Sequence, residues 1–591
     1  MNANRSHAVS QTPILLSRGK RALLSATACA CTTLALIGCN RSNSSSLSKL
    51  ADDNNVPEFP APAENGPKLG CVANATPIFE KATTHSKVIG FLHAGASVAR
   101  SEAPVRKARD CESGYFAIFP RGFVCLNQGA TLDMAHPTLA AMAIQPALDR
   151  SLPYTYGRAR ASSALLERDA RQSDAVVEVQ KFAQGSGAAV VGSWTARELS
   201  RETERERVES QKSGDSRKDS DSAAVLAKEV LAKEVPAREQ DSSPPQRLAL
   251  LTSGRFARAR DLEAARPSSF AGQSLAENGA ALPVAFVIKR GVFKYRVSGD
   301  VLEKAEQLEF HDKFGLTSRY RTQDGNRFWL VQGEPERWVR ERDVTRASAR
   351  LKLPEFVSAP GANDAQRWID ISVGSGTLVA YVGKRPVYTT LVSVGRDRLA
   401  EYVTDGAAVT RQGTFEVVAK HVSWLDLGAI GVAAMAANPN DAASKANADA
   451  GGTVRNAAFA SDTNNAAAPA TDSGPTTAGL NPVASIQLFS RLSDRSSKLA
   501  FYDVPWLVEL SSGQFLHGAY WHDRFGIEHG PGDVALSPTD ARWLFEFVTP
   551  TLPKGWHAVG NGSADKVAAG GKAVGVDDGG SVEKTLVVIH K

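Results

Sequence analysis

The sequence predicts a mainly β protein: a small N-terminal barrel-like module, long disordered linkers, and a larger C-terminal β-sandwich or barrel with a few helices. Three observations point there. A chain of 591 residues exceeds the roughly 100–200 of a typical domain, so several are expected. Its apolar runs are short and bounded by turn residues, as strands are. Apolar residues make up 42% but aromatics only 7%, beside 48 Gly and 29 Pro, a balance that suits packed modules separated by unpacked stretches. The net charge of +6 is too small for so large a surface to argue for nucleic acid. No body segment carries 18 successive apolar residues, so no internal membrane span is expected.

At the N-terminus, Arg5, Arg18, Lys20 and Arg21 precede an apolar stretch from Ala22 to Ile37, which has the length of a signal-peptide core. It ends in Leu36-Ile37-Gly38-Cys39, which resembles the bacterial lipoprotein cleavage box. The resemblance implies a leader over 1–38 and acylation of Cys39. Two or three acyl chains, at ~0.8 kcal/mol per buried methylene, anchor stably where one does not. Asn40 is not the aspartate associated with inner-membrane retention, so the outer membrane facing the periplasm is expected.

Cys29 and Cys31 leave with that leader, which leaves Cys71, Cys111 and Cys125 in an oxidising compartment. Cys111–Cys125 is the first choice of disulfide because it closes a short loop within one module; Cys71–Cys111 and Cys71–Cys125 are the alternatives. Residues 39–69, rich in Ser, Asn, Pro and Ala, read as a flexible tether. Residues 70–135 read as a small β module. Its segments Ser86–Val98 and Cys111–Cys125 resemble bacterial Src-homology-3-like domains, in which a Gly-aromatic pair opens a central strand. That resemblance implies cell-wall peptide binding or a plain spacer.

Residues 160–280 are polar and charged, with a pentad echo at Leu226, Leu231 and Pro236, and read as a low-complexity linker. Residues 283–350 read as a second small β-rich module around Trp329 and Trp338. Strand signals return over 365–591, interrupted at 431–484 by an Ala/Asn/Asp/Gly/Ser/Thr stretch too poor in apolar surface to fold. A Gly/Ala/Asp loop over 560–582 precedes a last strand.

This C-terminal part resembles the L,D-transpeptidase catalytic domain, which builds 3→3 cross-links in bacterial peptidoglycan. Arg367–Gly395 matches the opening hairpin, and Thr410–Phe415 matches a T-P-x-G-x-F turn with Arg411 in place of proline. Phe501–Leu510 and Phe515–Gly526 match the strand and histidine loop, and Leu536–His557 the helix beyond the active site. The family's S-H-G-C motif, followed by an apolar residue, Asn or Arg, and Leu, is lost. Counted from His517, those positions are Gly530, Pro531, Gly532, Asp533, Val534, Ala535 and Leu536. A shifted register using His529-Gly530 puts Pro531 at the cysteine instead, and no cysteine follows Cys125.

The family's reaction needs a thiolate, activated by histidine, to attack a peptide carbonyl. An aspartate, ionised at pH 7, is a poor acyl nucleophile, and proline removes both a base and a backbone donor. Transpeptidation is therefore not expected. His517, His522, Asp523, His529 and Asp533 could in principle hold zinc or activate water, but their spacing matches no zinc signature, and neither metal nor cofactor is expected. Trp506, Tyr520, Trp521, His522, Asp523 and His529 are the candidate walls of a retained groove. The favoured reading is a non-catalytic, lipid-anchored envelope protein that binds peptidoglycan stem peptides or regulates a cell-wall enzyme. The alternative is an active transpeptidase or carboxypeptidase working without cysteine.

Overall fold

The computed structural model describes residues 59–169, 172–199, 244–275, 281–395, 409–424, 500–527, 532–560 and 584–591. Cys39, most of the 39–69 tether, the pentad echo, the 431–484 insertion, nearly all of the 560–582 loop and the segment His529-Gly530-Pro531 lie outside the described residues. Strands dominate and helices are few. Among the described residues no helix is long and apolar enough to cross a membrane.

The first module contains β1 (Lys68–Cys71), β2 (Thr76–Phe79), β3 (Val88–Leu92), β4 (Ser97–Ala99), β5 (Arg106–Ala108), β6 (Cys111–Ala117), β7 (Phe123–Cys125) and β8 (Ala130–Thr131). Leu69, Ile78, Ile89, Leu92, Phe116, Ile118 and Val124 fill its interior. Cys111 and Cys125 are joined across the β6–β7 hairpin, and Cys71 is a free, buried thiol. Helix α1 (Pro137–Ala141) follows.

Where the sequence suggests a linker over 160–280, the structure builds a second module. Its strands are β9 (Thr155–Ala159), β10 (Ser163–Arg168), β11 (Ala175–Phe182), β12 (Gly187–Leu199), β13 (Gln246–Leu251), β14 (Phe256–Arg258) and β15 (Leu262–Ala264). The physical reason is the size of its core residues. Ala159, Ala164, Ala188, Ala196 and Ala257 are mixed with larger groups such as Leu165, Leu166 and Phe182, which dilutes the apolar signal. The charged run over 200–243, outside the described residues, dominates any averaged reading of the segment.

Strand β16 (Gln273–Ser274) leads to a third module: β17 (Val284–Val287), β18 (Val292–Ser298), β19 (Val301–Leu308), β20 (Lys313–Gln323), β21 (Asn326–Val331), β22 (Trp338–Arg340) and β23 (Val344–Ala347). The second module has the strand order β11-β10-β14-β13-β12-β9-β15, and the third has β19-β18-β22-β21-β20-β17-β23. These are one topology, each strand displaced by eight. The first module repeats it with the long bent strand split in two, β4 pairing β1 and β5 pairing β6, while β3-β2-β7-β6 and β1-β8 keep their places. Register agrees as well: Leu248, Ala249 and Leu250 face Arg258, Ala257 and Phe256, just as Phe328, Trp329 and Leu330 face Arg340, Val339 and Trp338. Matching single 3-10 turns, Ala259–Asp261 and Glu341–Asp343, follow β14 and β22. Three tandem copies of one β module thus precede the C-terminal domain.

That domain comprises α2 (Glu355–Ser358), β24 (Arg367–Ser372), β25 (Thr377–Val382), β26 (Arg385–Leu391), β27 (Gly413–Trp424), β28 (Val504–Leu510), β29 (Phe515–Gly518), β30 (Val534–Leu536), α3 (Pro538–Phe547), β31 (Ala558–Gly560) and β32 (Leu586–His590). β24–β26 form a meander, and β32 lies parallel to β24 and antiparallel to β27. Helix α3 starts at Ser537, whose hydroxyl accepts the Asp540 N–H, with Pro538 in the first turn where its missing donor costs nothing. Ala541, Leu544 and Phe545 on one face of α3 pack onto Trp506, Val508, Leu516, Val534 and Leu536.

The first module and the domain share one continuous sheet, because β3 pairs antiparallel with β31. Trp556 and Val559 of the domain complete the first module's core. The strands approach closely at Gly90, where a Cβ would lie 2.5 Å from the Ala558 carbonyl oxygen and from the Trp556 ring. Replacing Gly90 by Ala should therefore cost roughly 1–3 kcal/mol through overpacking. Chemical denaturation together with hydrogen exchange at Ala558 and Val559 tests this; an unchanged midpoint with unchanged protection would mean that the seam tolerates separation.

Candidate functional site

The residues that the sequence count from His517 places at the active-site segment sit where the β28–β29 hairpin meets β30. β29 and β30 are parallel, so His517 pairs with Ala535 and Gly518 with Leu536. Ala535 also exchanges both backbone hydrogen bonds with Ser393 just beyond β26, at 2.8 and 2.9 Å. The Ser393 hydroxyl donates to the Arg524 carbonyl at 2.6 Å, which ties the end of the histidine loop to the central sheet.

Asp533, which the ungapped count from His517 places at the cysteine position, is buried. Its Oδ1 accepts the Phe515 N–H at 3.0 Å, while Oδ2 is a buried oxygen without a hydrogen-bond partner among the described residues. Burial pushes the carboxyl up to about 8, the Phe515 hydrogen bond opposing this only in part. At pH 7 the group is therefore mainly a neutral acid, which corrects the sequence expectation of an ionised aspartate; desolvation of the charged form is the cause. The neighbouring Gly532 has φ +66°, and its carbonyl accepts the Gln514 side-chain amide at 2.9 Å.

His517 is buried too, with Nδ1 3.3 Å from the Gly518 carbonyl oxygen. Burial pulls its pKa down to about 4, so the ring is neutral at pH 7. Trp521 lies against it, ring centroids 5.7 Å apart, and stacks on Phe501 at 4.2 Å.

The loop after β29 is held from two sides, by the module read from sequence as linker and by the one read as a small β-rich module. Tyr520 packs on Tyr156 of the second module, ring centroids 4.3 Å apart, and shares a cluster with Ala189 and Val191. Gly187 comes so close to Tyr520 that a Cβ there would lie 2.6 Å from its ring, so only glycine fits. Phe525, Ala519 and Ala535 pack with Phe286 and Ala347 of the third module. Asp503, at φ +57°, fastens the second module: it accepts the Thr252 hydroxyl at 2.5 Å and the Ala189 N–H at 3.0 Å, and its carbonyl accepts the Tyr156 hydroxyl at 2.6 Å. A strained backbone of this kind persists only where its surroundings over-determine it.

Two of the candidate groove walls are therefore corrected. Trp506 and Tyr520 are fully buried core residues, Trp506 donating its indole N–H to the Ser151 carbonyl. Their aromatic surface faces the chain's own modules rather than a groove. Trp521 and His522 are half-buried, and Asp523, Arg524 and Ile527 are exposed. His529, Gly530 and Pro531 lie outside the described residues. Among the described residues, no three His, Cys, Asp or Glu side chains are grouped to hold a metal ion. The Cys71 thiol, in the first module, is pushed up to about 12 by burial and supplies no thiolate. Sequence reasoning missed Tyr156, Asp503 and Ser393. Tyr156 stands at the edge of the supposed linker, and the roles of the other two depend on contacts over a hundred residues away.

Residues 366–589 match the family model of the YkuD L,D-transpeptidase catalytic domain. Among solved structures, an L,D-transpeptidase from Mycobacterium smegmatis aligns at 13% identity, covering 46% of this chain and 82% of that one, with a TM-score of 0.19. An LD transpeptidase in complex with imipenem aligns at 15% identity, covering 39% and 73%, with a TM-score of 0.17. No match is found among curated proteins. The C-terminal domain is L,D-transpeptidase-like on the strength of the family match, which spans β24 to β32.

The raised carboxyl of Asp533 gives a pH prediction. In the native state it keeps its proton up to about 8, whereas an unfolded aspartate loses it near 4. Between these values the native state binds more protons, so its stability falls as pH rises, by up to about 1.4 kcal/mol per pH unit for this group. Asp533→Asn keeps an acceptor for Phe515 and cannot ionise. Denaturation from pH 4 to 9 should show the variant gaining stability relative to wild type as pH rises. Parallel wild-type and variant curves would refute the burial argument.

Proposed function

We propose that this is a lipid-anchored cell-envelope protein whose C-terminal domain keeps an L,D-transpeptidase scaffold without the reaction, and binds peptidoglycan stem peptides or a cell-wall enzyme. One observation carries the loss of chemistry: the position matched to the nucleophilic cysteine holds Asp533, buried and mainly neutral, hydrogen-bonded to Phe515 instead of aimed at an acyl group. A neutral carboxylic acid has no free pair of thiolate strength, and its acyl product would be a mixed anhydride. In another hydrolase, losing the nucleophile costs about 10⁶ in rate.

The envelope assignment is supported by the Leu36–Cys39 box, by the Cys111–Cys125 disulfide, which suits an oxidising compartment, and by the domain family itself, whose members act on peptidoglycan stems. Lipid attachment at Cys39 would place the chain on the periplasmic side of the outer membrane. Binding would use the accessible residues of the histidine loop, His522, Asp523, Arg524 and Ile527, because Tyr520 before them is packed under the second module.

The purified chain, incubated with tetrapeptide-bearing muropeptides, should yield no 3→3 dimers and no shortened stems, while sedimenting with isolated sacculi. Mass spectrometry should find no acyl adduct on Asp533. Dimers or an adduct would overturn the non-catalytic reading; failure to sediment with sacculi or to capture a wall enzyme would overturn the binding one.

A further inference from the structure

The seam where β3 meets β31 is crossed by buried histidines. His93 stands one residue beyond β3 in the first module, His557 one residue before β31 in the domain, and His421 of β27 pairs with Ala558. All three are buried, and the rings of His93 and His557 lie 4.8 Å apart, centroid to centroid. His557 Nε2 is 3.1 Å from the Ser423 carbonyl oxygen and 3.2 Å from its hydroxyl, and His93 Nδ1 is 3.3 Å from the Ala94 carbonyl oxygen. Among the described residues the other ring nitrogens, His557 Nδ1 and His93 Nε2, have no hydrogen-bond partner, nor has His421 Nε2.

The elements packed around the His93–His557 pair bring it no counter-charge. β28 contributes Glu509, 4.0 Å from His421 Nε2. β27 also carries Lys420, but its ammonium donates to the Phe545 and Val548 carbonyls at the end of α3. The second module contributes Tyr154, whose ring stacks on His557 at 6.5 Å; burial and the nearby Asp503 keep its hydroxyl protonated. Asp503 itself accepts from Thr252 and Ala189. Among the described residues no carboxylate is in ion-pair contact with His93 or His557. Burial therefore dominates. It pulls His93 down to about 4, and, with His93 and His421 nearby, holds His557 well below its ordinary value; the carbonyl contacts oppose this only in part.

We infer that this seam is an acid-operated joint, at which protonation of His93 and His557 parts β3 from β31 and releases the first module from the C-terminal domain. Two features direct the strain to the seam. Its strand contact is short: Gly90 faces Val559, Phe91 faces Ala558, and the His557 N–H donates to the Phe91 carbonyl at 2.9 Å. The two rings also come from opposite sides of it, so charges formed there repel across the seam and are relieved when water reaches them. In water a histidine takes its proton near 6.5, so below that value the open seam binds more protons than the closed one. The joint is thus at full strength above about pH 7 and weakens with acidification toward about pH 4, by up to about tenfold per pH unit in the opening equilibrium for each ring. This direction is opposite to that of Asp533, which keeps the two effects separable.

Hydrogen exchange of the full chain at pH 7 and pH 5, read by mass spectrometry and corrected for the intrinsic pH dependence of exchange, tests this. Peptides covering Val88–Leu92 and Ala558–Gly560 should lose protection by about twentyfold for each ring, and so by more than about a hundredfold together. The β10–β11 hairpin should keep its protection, and return to pH 7 should restore the seam. The double variant His93→Phe/His557→Gln, which keeps much of the bulk and cannot take up the protons, should hold its seam protection at pH 5. His93→Phe alone should lose about twentyfold, the share of the remaining ring, and serves if the double variant fails to fold. The inference is overturned if seam protection is the same at both pH values, if the β10–β11 hairpin opens together with the seam, or if the variants lose as much protection as wild type.

Discussion

Three carboxyl groups taken out of water organise the C-terminal domain and its neighbours. A buried acid is costly unless hydrogen-bonded, so each of these side chains dictates what must surround it. Asp540, in the first turn of α3, accepts from the hydroxyls of Tyr388, Thr390 and Ser537 and from the Gly272 N–H. This fastens the segment between the second and third modules to the domain's helix and central sheet. Asp503 does the same for the second module through Thr252 and Ala189. Among the described residues Asp533 has one donor and one bare oxygen, and so is the group of the three for which neutrality is the cheapest remedy.

The same dryness shapes what the site can do. A transpeptidase needs a charged nucleophile beside a titratable base and room for a peptide. Here the acid is mainly protonated, and the His517 ring is held neutral by burial. The aromatic floor of the loop is covered by Tyr156 on one side and Phe286 on the other. Replacing one residue would therefore change the atom at position 533 without changing its surroundings. The burial of Asp533 and His517 and the packing of the modules are parts of one arrangement, in which the loop serves as a joint.

Much of this was legible in the sequence, in proportion to how local the signal is. The meander over Arg367–Leu391 and the helix after Ser537 follow from short-range patterns of alternation and capping, and the structure has both. The Cys111–Cys125 bridge follows from loop length and forms as expected. The second module was not legible, because alanines dilute the Leu, Val and Phe of its core and a charged run separates β12 from β13. A better signal was available in Phe256–Ala264 and Trp338–Ala347, where Arg258-Ala259-Arg260-Asp261 echoes Arg340-Glu341-Arg342-Asp343. In both, arginine pairs with the aspartate three residues on, at 3.6 Å in the second module and 2.7 Å in the third. The site's burial could not be read at all, because Tyr520 and Tyr156 are distant in sequence and meet only in the fold.

The threefold repeat explains why so little of the surface is conventional. Each copy inherits the same strands but meets the C-terminal domain differently. The first adds its outer strand β3 to β31, the second packs Tyr156 and the β12 start on Tyr520 and Asp503, and the third presents β17 and β23 to Phe525 and Ala535. A copy's buried contacts are fixed by the partner it covers, so its remaining faces are free to diverge. In the second module the face around Ser193, Ala249 and Ala264 is plain, while in the third the matched face carries Tyr320, Trp329 and Arg346. Packing accounts for part of that contrast, since Trp329 packs on the third module's core while its counterpart Ala249 is a small buried residue of the second.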